Sequence, residues 1–215
     1  TKPPVPAAIR WAVLVLVSVA LFGNYYAYDC VGPLADHLQR LLGYTDTQLG
    51  TLNAIYSFPN VVMVLVGGLF VDRVGTRLAA VVFAAVCLVG AAVTALSPSF
   101  PVMALGRLLF GLGAESMIVA ITVALGQWFV GRQLGFAFGV NLSIARAGSW
   151  AADLSPTWAK PLYDRGWQPP LLLAALLAMT SLAAIAAYWW LERRAGQRYD
   201  LGVAPPVDRI VWRDL

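Results

Sequence analysis

Apolar residues fall into six blocks along the chain, parted by short polar connections. A helix needs about 20 mostly apolar residues to cross the hydrocarbon of a bilayer. The pattern therefore predicts six spans, at Trp11–Pro33, Gln48–Val71, Leu78–Leu96, Pro101–Phe129, Leu134–Trp158 and Pro169–Leu191. The longest connection, Leu34–Thr47, is polar and carries Asp36, Arg40 and Asp46. Residues 1–191 read as one six-helix bundle, and the polar, proline-bearing stretch 192–215 reads as a cytoplasmic linker. The fold class expected is all-α and membrane-embedded.

Polar residues inside these blocks recur at helical spacing. In the second block Asn53, Tyr56, Ser57 and Asn60 share one face, and Pro59 removes a backbone donor at a place where the helix is then expected to kink. Tyr25, Tyr28 and Asp29 share a face in the first block, and Ser143, Arg146, Trp150 and Asp153 in the fifth. The fourth block carries Glu115 near its middle. Charges at that depth cost about 2.5–3.5 kcal/mol each on insertion scales, so they face a cavity or a partner. Glu115 lies 14 residues before Phe129, and Arg146 lies 12 residues after Leu134. At about 1.5 Å per residue the two depths are roughly 21 and 18 Å. A carboxylate and a guanidinium are thus expected to meet in the middle of the membrane, either around a substrate or as a structural ion pair. Tyr25, Tyr56, Asn60 and Trp150 complete the candidate substrate site. Each of these polar side chains has interhelical hydrogen bonding or interfacial anchoring as its alternative role.

The flanking charges set orientation. Lys2, Arg10, Arg73, Arg77, Arg132, Arg193, Arg194, Arg198, Arg209 and Arg213 gather on one side, against Arg40, Lys160 and Arg165 on the other. Basic residues favour the cytoplasmic side, so both termini are expected there. An even number of spans requires the same.

Composition narrows the class further. The chain has 215 residues, 60% hydrophobic and 12% charged, where a soluble domain has about 45–50% and about 25%. The net charge of +4 is spread between apolar blocks. It forms no basic stripe, so nucleic acid is not an expected partner. Cys30 and Cys87 lie in different blocks without ligand spacing, and His37 has no partner histidine, so neither a metal nor any other cofactor is expected. No nucleophile–base pair stands out, so an enzyme is not expected. Arginine and alanine abundance points to a GC-rich bacterial genome and hence to the inner (plasma) membrane.

Between the second and third blocks stands "GGLFVDRVGTR". Gly68, Asp72, Arg73, Gly75 and Arg77 fill every defined position of G-x-x-x-D-[RK]-x-G-x-[RK], and the stretch resembles the signature loop of the major facilitator superfamily. In the fourth block Arg107, Gly111 and Gly113 match that family's R-x-x-x-G-x-G. The resemblance implies a twelve-helix transporter with two pseudo-symmetric halves, of which this chain is the amino-terminal one. It implies that the loop latches the halves together in one state, with Arg132 placed as a partner for Asp72. The fifth block reads "AFGVNLSIARAGSW" where drug antiporters of the family carry Gly-Pro, which argues against a multidrug exporter. "IYSFPNVV", "GRLLFGLGAES" and "WFVGRQLGFAFGVNLSIARAGS" resemble the group of that family around the lysosomal dipeptide transporter.

The expectation is transport of a small zwitterion, most of all a dipeptide, by alternating access, with a second six-helix half and the lipid bilayer as partners. Two rival readings stand beside it. One is transport of an organic anion held by Arg146, with Glu115 coupling protons. The other is a non-transporting membrane scaffold subunit.

Overall fold

The computed structural model describes residues 3, 5–57, 59–129 and 132–199, and no strand occurs among them. Helix α1, Ala7–Asp29, starts directly after Pro6 and runs out before a 3-10 turn at Gly32–Leu34 that contains Pro33. The connection expected to be a polar loop instead folds into α2, Ala35–Leu42, which buries Leu38 and stops at Gly43 with φ 69°. His37 on α2 meets Tyr163 edge-on at 5.4 Å.

The second apolar block forms two helices, not one. Helix α3, Asp46–Ala54, opens on a capping box between Thr45 and Gln48, which satisfies two backbone donors reciprocally. Helix α4, Asn60–Val74, begins just after Pro59. The break lies where proline removes a donor. Gly75, at φ 83°, makes the tight turn into α5, Thr76–Leu96. Helix α6 is Phe100–Trp128 and α7 is Arg132–Asp153. The short α8, Ser155–Trp158, and α9, Lys160–Tyr163, lead to α10, Gln168–Arg198. Helix α10 thus continues about two turns beyond the end expected at Leu191.

Four stretches are long and apolar enough to cross a membrane: Ala7–Leu42, Thr76–Leu96, Phe100–Trp128 and Gln168–Arg198. The other two expected spans are the broken pair α3–α4 and the more polar α7, which carries Asn141, Ser143, Arg146 and Ser149.

Helix α1 packs against α7 and α10, as α6 packs against α4 and α5, and α10 and α5 pack on each other. Exchanging α1 with α6, α3–α4 with α7, and α5 with α10 leaves these pairings unchanged, the pattern that internal repeats produce in transporters. Helices α1 and α6 touch at the centre, and α4 and α7 flank them.

Small residues permit the closest approach, as in other membrane bundles. A Cβ on Gly106 of α6 would stand 2.6 Å from the Thr94 backbone nitrogen of α5, whereas one on Gly126 meets nothing within 4 Å. Gly106→Val is therefore expected to destabilise the bundle by at least the 1–3 kcal/mol typical of overpacking. Gly126→Ala in the same helix should be neutral or stabilising, by up to about 1 kcal/mol. Melting of the two purified variants in detergent checks the contrast, and equal melting would refute the close α5–α6 contact.

Candidate functional site

Arg107 is 2% exposed, deep in α6. Its guanidinium donates from Nη1 to the Ala27 carbonyl at 2.9 Å, from Nη2 to the Tyr28 carbonyl at 2.6 Å, and from Nε to the Leu52 carbonyl at 3.3 Å. Ala27 and Tyr28 lie in the last turn of α1, and Leu52 in the last turn of α3. Carbonyls there have no intrahelical donor and sit at the negative end of the helix dipole. One arginine of α6 therefore caps two other helices at once. Gly111, one turn on, lets the Tyr56 carbonyl at the helix break come against α6, and Gly113 lets the Phe83 carbonyl of α5 approach to 2.7 Å of where a Cβ would stand. The row Arg107, Gly111, Gly113 thus holds α6 against three neighbours: Arg107 against the ends of α1 and α3, Gly111 against the break after α3, and Gly113 against α5.

An aromatic run starts at that arginine. Arg107 Cζ lies 4.3 Å from the centroid of the Tyr56 ring. Tyr56 meets Tyr28 edge-on at 4.0 Å, and Tyr28 stacks with Tyr25 at 6.0 Å. Arg146 Cζ of α7 stands 5.3 Å from the Tyr25 centroid. Cation–π contacts of this kind contribute about 0.5–2 kcal/mol, more where water is excluded. The run passes from a buried arginine to an exposed one.

Glu115 is half-buried on α6, two turns past Arg107, and its field reaches Tyr25 together with that of Arg146. The structure thus gathers Glu115, Tyr25 and Arg146 on the inner faces of α6, α1 and α7. Trp150, 66% exposed, stands one turn beyond Arg146 on α7. Tyr56 is buried and engaged by Arg107 and Tyr28. Asn60 opens α4, and its side chain lies outside the described residues. A carboxylate and a guanidinium on either side of an aromatic ring are groups that can bind a small molecule charged at both ends.

The signature stretch is helical on both sides of Gly75: the last turn of α4 exposes Asp72 and Arg73, while Arg77 Nε in the first turn of α5 binds Glu192 Oε1 of α10 at 3.3 Å. Thr76 Oγ1 lies 3.4 Å from Gln127 Oε1 of α6. The stretch is therefore tied to the ends of two further helices. Glu192 was not foreseen, since its polar neighbours place it in a linker when read locally, yet it is 7% exposed. The glycine that packs closely is the one before the motif: Gly67 abuts Ser116 of α6, and nothing described lies within 4 Å of a Cβ on Gly68. Arg132, the expected partner of Asp72, opens α7 with its side chain outside the described residues.

The chain is similar in sequence to known transport proteins. The model of the major facilitator superfamily matches residues 17–214. The lysosomal dipeptide transporter MFSD1 of Danio rerio is 39% identical over 201 residues, covering 86% of this chain and 43% of that protein. The mouse protein of that name is 38% identical over 150 residues, covering 68% of this chain and 32% of its own length. The hexuronate transporter of Escherichia coli K12 is 26% identical over 170 residues, covering 79% and 39% respectively. The chain spans about a third to under half the length of these relatives. With this match over most of its length, a signature loop closed by Gly75 and an arginine–glycine row that holds α6 to its neighbours, the chain is an integral membrane protein and belongs to the major facilitator superfamily.

Proposed function

We propose that this chain is the amino-terminal six-span half of a transporter that carries a small zwitterion, a dipeptide above all, by alternating access. The observation that supports the reading is the contact of Arg146 with the Tyr25 ring, which also lies within the electrostatic reach of Glu115. The relatives named as dipeptide transporters favour a peptide. A substrate carboxylate would take the forked guanidinium of Arg146 in two parallel hydrogen bonds, which lysine cannot reproduce. Its ammonium would face Glu115, and Tyr25 and Trp150 would flank its side chains. The test is ligand-induced thermal stabilisation of the whole transporter by a dipeptide and by the same dipeptide blocked at either end. Free dipeptide should stabilise and both blocked forms should fail. Equal stabilisation by all three would refute the zwitterion clamp.

The organic-anion reading has its own support in the hexuronate relative and in the exposure of Arg146. It predicts that an acid without an amine stabilises as well as a dipeptide does, and that the effect depends on protonation of Glu115.

A second six-span half completes the fold in this reading, covering the outward faces of α4 and α7. The exposed row Val62, Leu65, Val66 and Leu69 on α4 and the open face of Gly68 suit such a cover. Asp72, exposed beside that face, then acts as the latch between halves. Asp72→Asn should slow uptake roughly tenfold while leaving substrate affinity within about twofold, a coupling of the size common between conformational states. Unchanged turnover would remove the latch. Both termini lie in the cytoplasm of a bacterial cell in this reading. Impermeant labelling of single cysteines at the exposed positions Arg193 and Thr45 in intact cells should mark position 45 alone.

A further inference from the structure

The last apolar turn of α10 ends in Trp189, Trp190 and Leu191, and Arg193, Arg194 and Arg198 follow. Tryptophans at such a boundary sit at headgroup level. On one face of α10, Trp190, Arg194, Gln197 and Arg198, with Tyr199, enclose a pocket of about 510 Å³ against Ile9 in the first turn of α1. The Arg194 guanidinium lies 3.8 Å from the Trp190 ring centroid, which holds the cation in place and dries one side of it. Among the described residues no carboxylate lines the pocket. Glu192 is buried on the other side of the helix, in its ion pair with Arg77. The positive end of the α1 dipole adds to the field.

The same face of α10 continues into the membrane as an exposed apolar strip of Leu172, Leu176, Met179, Ala183 and Ala187, ending at Trp190. From Leu172 to Arg194 is about 33 Å of helix, close to the roughly 30 Å of a hydrocarbon core. The ligand that fits both parts has a phosphate for the two arginines and acyl chains for the strip. We propose that this pocket binds the headgroup of one anionic glycerophospholipid. Basic pockets between spans at the cytoplasmic side are suited to such headgroups. The leaflet is the inner one under the orientation proposed above. The site lies at the start of α1 and the end of α10, and neither Glu115 nor Arg146 lines it, so its success or failure leaves the transport reading untouched.

The experiment uses purified, delipidated protein in neutral detergent, titrated with phosphatidylglycerol, phosphatidylcholine, glycerol 3-phosphate or inorganic phosphate. Intact-protein mass spectrometry counts retained lipid, and melting reports stabilisation. One phosphatidylglycerol should be retained saturably, phosphatidylcholine should not, and neither soluble phosphate should protect at millimolar concentration. Arg194→Ala/Arg198→Ala should weaken retention roughly thirtyfold, from the contribution of two basic residues at a membrane surface. Arg193→Ala removes a charge on the neighbouring face, over Trp189 at 5.8 Å, and should retain the lipid where Arg194→Ala loses it. If the double variant does not fold, Arg198→Gln alone should show loss in the same direction. Equal retention of phosphatidylcholine would overturn the proposal, as would equal loss in Arg193→Ala. Protection by inorganic phosphate as strong as by phosphatidylglycerol would make the pocket a soluble-anion site instead.

Discussion

Replacing Arg107 with alanine should cost the bundle at least about 2 kcal/mol, because three carbonyls lose a charged donor: two then have no described donor, at about 1–3 kcal/mol each, and that of Ala27 keeps only the Cys30 thiol. The carbonyls belong to Ala27, Tyr28 and Leu52, at the ends of two different helices. Both helix ends should loosen, and with them the break between α3 and α4 that holds Tyr56 in place. Melting in detergent should fall by about 5–10 °C. Arg107→Lys should recover only part of that loss. A single ammonium presents three donors from one point, whereas the guanidinium fork spreads its donors over both helices. Cysteine accessibility at Ser57 should rise in the alanine variant, which ties the effect to the break itself. A variant that melts with the parent protein would remove the capping role.

Arg146→Ala should do the opposite. The side chain is exposed and its described contact is the Tyr25 ring, so its loss should move stability by no more than about 0.5 kcal/mol. Substrate affinity should fall about thirtyfold or more, the cost of truncating one side of a desolvated, hydrogen-bonded charge pair. Arg146→Lys should still bind the substrate carboxylate, but more weakly. Glu115→Gln should selectively relax the requirement for a free amine. Thermal stability and ligand-induced stabilisation, measured on the same four proteins, separate the two arginines. If Arg146→Ala lowered melting as Arg107→Ala does and left affinity alone, Arg146 would be a structural ion-pair partner and no part of a substrate site.

The two arginines also show how far local reading reaches. Both stand out as charges within apolar blocks, and the Arg107, Gly111, Gly113 spacing is visible along the chain. The destination of Arg107 is not, since its acceptors lie 55 to 80 positions away and are backbone atoms without any side-chain signature. The equal depth of Glu115 and Arg146 follows from counting helix residues. Their meeting at Tyr25 depends on how α1, α6 and α7 are rotated about their axes, which counting does not supply.

Hydropathy, proline position and charge asymmetry are sums over neighbours in the chain. That is why the apolar blocks, the break at Pro59, the turn at Gly75 and the family itself are legible before any fold is known. Packing is decided by contacts between distant segments, where a rotation of one residue changes the outcome. So Gly67 and not Gly68 abuts α6, Glu192 leaves its polar surroundings to pair with Arg77, and the polar connection after α1 becomes a helix once Leu38 finds a buried place. The pocket beside Trp190 belongs to the same class. Its arginines are plain in the chain, but the wall that makes them a site comes from Ile9, at the other end of the molecule, and only the docking of α1 on α10 brings it there.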